Sequence, residues 1–177
     1  KSYEFDGVVL ACHSDQALAM LPAASAKQRE VLSAVPYLEN TVVLHQDASL
    51  MPRLKSCWSA WNYRLQTQRP DAPVLTYWMN ELQCMPEGTP DFFVTVNPDQ
   101  RIDPAKELRR FNYSHPQFGP QSPAAQAQLA EVNRNSPIVL AGAWGRNGFH
   151  EDGHSTGLEA AQALDAHLAN LRVLETA

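Results

Sequence analysis

Apolar and polar positions alternate with different periods in different parts of the chain, and the changes of period outline its elements. Val8 to Ala11 form a short apolar run behind Gly7, which predicts a strand buried in a mostly parallel sheet. Ser14 offers an N-cap, apolar residues recur at helical spacing from Asp15 to Leu21, and Pro22 stops that helix. Ser25 followed by Gln28 makes a capping-box pattern for a second helix carrying Val31, Leu32 and Val35. From Asn40 to about Asn97 the period falls to two. The β-rich segments are Thr41 to His45, Trp58 to Leu65, Val74 to Met79 and Phe92 to Val96, a run of consecutive strands expected to pair antiparallel. Pro52, Pro70, Pro73, Pro86, Gly88, Pro90 and Pro98 mark where strands should end or turn. Phe111 to Ser114 adds another strand.

The last third returns to helical spacing. A helix is expected from Ser122, with Pro123 at its first position and Ala127, Leu129, Ala130 and Val132 toward its buried side, ending over Asn133 to Pro137. Ile138 to Ala141 read as an apolar strand. A turn through Gly142, Gly145, Gly148 and Gly153 follows, then a long helix whose expected buried stripe is Leu158, Ala161, Leu164, Leu168 and Leu171. The fold class is therefore α+β: a mainly antiparallel sheet of about five strands over residues 36–120, between an α/β part at 1–35 and a closing strand, Gly-rich turn and helix at 121–177.

Composition narrows the function classes. With 44% hydrophobic residues and fifteen aromatics (four Trp, six Phe, five Tyr) the chain should fold around a core. A formal net charge of -5, with basic residues single or paired as at Arg109 and Arg110, gives no footprint for nucleic acid. Cys12, Cys57 and Cys84 are an odd number without close spacing, which argues against a disulfide framework or a four-thiolate metal site and for a reduced, cytoplasmic setting. The apolar runs are too short to span a membrane, so a soluble protein is expected. The chain opens on Lys1 and enters a strand almost at once, the expectation being a piece of a longer protein.

The best candidate for chemistry lies between Gly142 and Gly157. A strand, a Gly-rich turn and a helix N-terminus in series bring unpaired N–H groups and the positive end of a helix dipole together, which suits the polar edge of a cofactor. A tight loop with no ligand is the plainer reading of the same turn.

At these residues the chain resembles a family. The segment from Ile138 to Gly157 is similar to the C-terminal flavin-binding signature of flavin-containing amine oxidases and related desaturase-like proteins, with Gly142, Gly148, Glu151 and Gly157 matching in position. Phe5 to Leu18, Leu44-His45-Gln46-Asp47 with Leu50-Met51-Pro52-Arg53, and Ala60-Trp61-Asn62-Tyr63 widen the likeness to a bacterial branch of predicted NAD/FAD-binding oxidoreductases. The resemblance implies FAD as cofactor. It places the backbone of Asp152, Gly153 and His154 at the pyrimidine edge of the flavin, Gly142 and Ala143 near the ribityl-pyrophosphate arm, and Ala11 and Cys12 near the nucleotide half. Trp144, Gly148, Phe149, His150 and Glu151 complete the implied cofactor set. Ala143 stands where many relatives carry Asp or Glu, and Cys12 reads equally well as core packing. The β-rich middle would be the substrate lobe, with Trp61, Asn62 and Tyr63 as candidates to line a pocket for a small molecule. Such proteins open with a G-x-G-x-x-G segment that binds the ADP half of FAD, and this chain has none. The implied parent oxidises a C–N or C–C bond, while this chain would be inactive without the missing N-terminal segment.

Two rival readings come from other classes. His150-Glu151-Asp152-Gly153-His154 satisfies H-E-x-x-H, in which two histidines on one helical face hold zinc. Asp152-Gly153 favours a turn over a helix interior there, and neither His115 nor His167 has a spacing that supports a third ligand. Alternatively, the chain is a non-catalytic interaction module whose exposed apolar surface drives self-association.

Overall fold

In the computed structural model, which describes residues 1–66, 69–98 and 101–175, the chain is α+β and divides into two compact units: Lys1–Leu38 with Pro116–Ala177, and Glu39–His115.

The first unit is built on two parallel strands from opposite ends of the chain. β1 (Val8–Leu10) pairs with the strand Ile138–Leu140, residue for residue from Val8 with Ile138 to Leu10 with Leu140. After β1 come α1 (Ser14–Met20) and α2 (Ala26–Ser33). The capping box at α2 is present in both directions: the Gln28 N–H donates to Ser25 Oγ (3.1 Å) and the Ser25 N–H to Gln28 Oε1 (2.8 Å). Ser14, expected as an N-cap, is instead the first helical residue of α1, behind His13. Its buried hydroxyl turns back to the Val35 carbonyl at 3.4 Å and its N–H donates to the Tyr37 hydroxyl at 3.1 Å. Val35 lies just beyond the end of α2 yet is buried with Val31, Leu32, Ala17, Leu21 and Ala24 in one cluster.

The second unit holds an antiparallel sheet of five strands, β2 (Tyr37–His45), β3 (Trp61–Gln66), β4 (Arg69–Trp78), β5 (Phe93–Val96) and β6 (Glu107–Pro116), in the order β3-β4-β5-β2-β6. The expected strand breaks at Pro70 and Pro73 are not there, since β4 runs through both. The β3–β4 ladder shifts register between Arg64 and Gln66, and such irregularities are where a strand tolerates proline. Trp58, expected within β3, precedes it. The inner face of the sheet buries Val43, His45, Val74, Thr76, Phe93 and Thr95. A helical turn, α3 (Met79–Leu82), follows β4.

Back in the first unit, the helix expected from Ser122 is two helices, α4 (Ser122–Gln126) and α5 (Leu129–Asn133). The break at Ala127-Gln128 turns Leu129 into the core and leaves Ala127 and Ala130 exposed. β7 (Ile138–Leu140) and the long α6 (His150–Glu175) complete the unit. The buried stripe of α6 meets the expected row at Leu164, and Leu168 is half-buried, but its centre lies elsewhere. Thr156 and Ala160 are buried, with Ala163 and Leu164 packed beside them against Val139 and Ala141, whereas Ala161 is exposed and Leu158 and Leu171 are 51% and 38% exposed. Small side chains at positions 156, 160 and 163 let the helix axis approach β7 closely, and residue 158, two positions from 156, is carried to the far side of a 3.6-residue turn. Leu164 lies over Gly7, where an added Cβ would stand 2.5 Å from its Cδ1. Among the described residues no helix is long and apolar enough to cross a membrane.

Candidate functional site

The parallel pair β1–β7 sends both chains out at the same edge. Beyond the strands the ladder continues one step, with the Ala141 N–H donating to the Leu10 carbonyl at 3.1 Å. Cys12 and Gly142 then lie side by side: a Cβ added to Gly142 would come within 3.2 Å of the Cys12 carbonyl oxygen. The crevice beyond the carboxyl ends of parallel strands is the usual ligand position in α/β sheets.

Gly142 makes the elbow. Its backbone has φ +154° and ψ 156°, a region that glycine adopts almost alone, and the space a side chain would fill is held by the Trp144 indole, 2.4 Å from the ideal Cβ position. Two contacts lock the bend. Trp144, buried in the core, donates from Nε1 to the Cys12 carbonyl at 3.0 Å, and the buried Thr156 hydroxyl meets Gly142 N at 3.0 Å, Gly142 O at 3.1 Å and Gly153 O at 3.2 Å. Thr156 was not among the residues singled out from sequence. The signal that could have found it is its place six residues into a helix following a Gly turn, one helical step from Gly153 on the same face. Farther along the loop, Gln126 Nε2 donates to the Trp144 carbonyl at 2.9 Å and to the Arg146 carbonyl, and Arg146 pairs with Glu159.

The first turn of α6 closes the arrangement. The H-E-x-x-H string, expected to favour a turn, is helical from His150 onward. Asp152 explains why: its carboxylate accepts the Phe149 N–H at 2.9 Å, the half of a capping box that reaches back from the third helical position. The Asp152 and Gly153 N–H groups return to the Phe149 carbonyl at 3.1 and 3.2 Å, so the His150 and Glu151 N–H groups are the helix's leading donors. Gly153 faces Ala143, its ideal Cβ position 3.7 Å from the Ala143 nitrogen.

Of the sequence-predicted cofactor residues, the structure brings Cys12, Gly142, Ala143 and Gly153 together. Ala11 is exposed beside them. Trp144 points inward, and Gly148, Phe149, His150, Glu151 and His154 are on the surface, with Phe149 64% exposed. Burial, with Asp15 nearby, pushes the Cys12 thiol above its usual value, which disfavours a reactive thiolate. His150 and His154 stand four residues apart on the first turn, and among the described residues no group of three His, Cys, Asp or Glu gathers to hold a metal.

In the second unit, Trp61, Asn62 and Tyr63 border a groove of about 390 Å³ with Leu50, Met51, Pro52, Cys57 and Arg64. Consecutive strand residues face opposite sides, so the three do not form one wall. Trp61 and Tyr63 are 51% and 64% exposed, and Trp61 meets Tyr77 edge-on at 5.3 Å. Asn62 is tied inward to the preceding turn, accepting the Ser59 N–H at 3.1 Å and donating to the Ser59 and Thr76 carbonyls.

The chain matches no protein-family model and no curated protein.

Proposed function

We propose that this chain is part of an FAD-dependent oxidoreductase of the amine-oxidase or desaturase-like kind, supplying the closing strand, glycine elbow and final helix of the flavin-binding domain together with a β-rich substrate lobe. The observation that carries the reading is the convergence of the carboxyl ends of β1 and β7 with the first turn of α6 at Cys12, Gly142, Ala143 and Gly153. The dipole of α6 and its leading N–H groups stabilise negative charge without the cost of reorganising solvent.

The fit to a flavin rests on shape and donors. Gly153 leaves the helix face toward Ala143 without a side chain that would keep a flat ring or a ribityl arm off the backbone, and His150 and Glu151 present N–H groups. Bound flavin would supply the two-electron acceptor for a C–N or C–C bond. The protein's own part is positional. Thr156 and Trp144 fix the elbow at Gly142 beside Cys12 and the first turn of α6, and Trp61 and Tyr63 offer apolar surface to a small-molecule substrate.

A partner segment belongs to this reading. A parallel sheet of two strands is below the size that buries both faces, and Val8 and Val9 are 38% and 43% exposed. A strand-turn-helix segment bearing G-x-G-x-x-G would extend that sheet and hold the ADP half of the cofactor. Without it, the same apolar surface supports self-association of the chain. Three free cysteines support a cytoplasmic setting.

The test is calorimetric titration of FAD into this chain and into a chain extended by such a segment, with zinc analysis of both. FAD binding by the extended chain that is lost in its Gly142→Ala variant, without zinc, supports the reading. Stoichiometric zinc, or an extended, folded chain that ignores FAD, overturns it.

A further inference from the structure

In the second unit, two indoles and a carboxylate, none of them assigned above to flavin or substrate, form a corner around an ammonium group. The rings of Trp58 and Trp78 meet at 86° with centroids 5.3 Å apart. Lys55 Nζ stands 5.0 Å from the Trp58 ring and 5.5 Å from the Trp78 ring, and 2.9 Å from Asp91 Oδ2. Two perpendicular aromatic faces and one carboxylate are the combination that recognises an organic cation: the ring quadrupoles attract the charge and the carboxylate takes a hydrogen bond.

The walls are held without help from Lys55. Trp78 Nε1 donates to Asp91 Oδ1 at 2.9 Å, orienting the carboxylate so that its other oxygen faces the corner. Trp58 Nε1 donates to the Pro52 carbonyl at 2.7 Å, and the ring packs edge-on against the buried Phe93 at 5.6 Å. The segment carrying Asp91 is pinned by Asn80, whose Nδ2 donates to the Thr89 and Pro90 carbonyls while its Oδ1 accepts the Phe92 N–H at 2.8 Å. Lys55 itself enters from a short 3-10 turn, Lys55–Cys57, with 62% of its side chain exposed. A flexible exposed stem brings the cation to a preorganised corner.

From this geometry we infer that Trp58, Trp78 and Asp91 form a binding site for alkylammonium groups, kept occupied by the chain's own Lys55, which a primary amine or an amine-bearing chain displaces. The site does not depend on the flavin reading. Lys55 competes as a tethered ligand at an effective concentration in the millimolar range or above, so the native chain responds only to concentrated or multivalent amines, and removing Lys55 opens the site.

The experiment is titration of n-butylammonium chloride into the chain and its Lys55→Ala variant, following the indole N–H resonances of Trp58 and Trp78 in proton-nitrogen correlation spectra, with sodium chloride at equal ionic strength as control. Lys55→Ala is expected to give saturable shifts at those two tryptophans at concentrations at least about tenfold lower than the native chain requires. Adding Asp91→Asn to that variant should weaken binding by about tenfold, the loss of a charge-assisted hydrogen bond. The Trp144 resonance reports that each variant is folded. A folded Lys55→Ala chain without a saturable response overturns the inference, as does an equal response to sodium chloride or undiminished binding after Asp91→Asn.

Discussion

The Trp144 indole Nε1 donates a 3.0 Å hydrogen bond to the Cys12 carbonyl, joining residues 132 positions apart at the point where β1 and β7 release their chains. The same ring is buried among Leu10, Leu129 and Leu140 and fills the space next to Gly142. One side chain thus couples core packing to the shape of the candidate site.

Trp144→Phe should separate the two roles. It keeps most of the apolar volume and loses the donor, leaving the Cys12 carbonyl without its indole partner, so destabilisation of about 1–3 kcal/mol is expected. Trp144→Ala also opens a cavity and should cost about 3–5 kcal/mol. Denaturant midpoints at constant slope measure both, and a Phe variant as stable as the native chain would mean that the bond contributes nothing net.

Thr156→Val is close in shape but removes a hydroxyl that serves Gly142 N, Gly142 O and Gly153 O. A buried N–H left unmade costs about 1–3 kcal/mol. Gly142→Ala should cost more than about 3 kcal/mol, because it adds a side chain at φ +154° and a 2.4 Å approach to the Trp144 ring. Thr156→Ser, which restores the hydroxyl, should recover most of the loss. Thermal unfolding of the four proteins orders them as native, Ser, Val, Gly142→Ala, and a Val variant above the Ser variant contradicts the hydrogen-bond account.

Acid should weaken the second unit through His45. The ring is fully buried, its Nδ1 accepts the Asp47 N–H at 3.1 Å and its Nε2 lies 2.7 Å from Thr95 Oγ1, an arrangement for the neutral Nε2–H tautomer. Burial lowers its pKa below the ordinary 6.5, against the pull of Asp47 and Glu107. At pH above about 6.5 neither folded nor unfolded chain protonates this ring, and stability is unaffected. Below that, the unfolded chain takes up a proton the folded chain resists, so stability falls by up to about 1.4 kcal/mol per pH unit. Asp47 acts in a lower window. Burial pushes its carboxyl up, but the Asp103 and Ser49 N–H groups and Lys106 outweigh this and hold it below its ordinary 3.8, so its contribution is lost only in stronger acid. Urea unfolding from pH 7.5 to 5 should therefore show a decline that His45→Gln flattens. An equal decline in both proteins would place the proton uptake elsewhere.

The sequence by itself determined the elements whose causes are local. The capping box of α2 needs only Ser25 and Gln28, the strands of the sheet announce themselves by alternation, and the run before Gly142 is apolar whatever surrounds it. The α+β class and the five-stranded antiparallel sheet follow from those local signals. Tertiary structure decided the features that depend on what lies opposite. Leucine periodicity suggested one face for α6, yet the need to approach β7 closely selected the face with Thr156, Ala160 and Ala163. H-E-x-x-H became the first turn of a helix because Asp152 reaches back to the Phe149 N–H. Trp61, Asn62 and Tyr63 are adjacent in sequence but divided by the pleat of β3. The pairing of Trp144 with Cys12, and of Lys55 with Trp78 and Asp91, has no local signature, because partners far apart along the chain meet only after the strands that carry them have found their register.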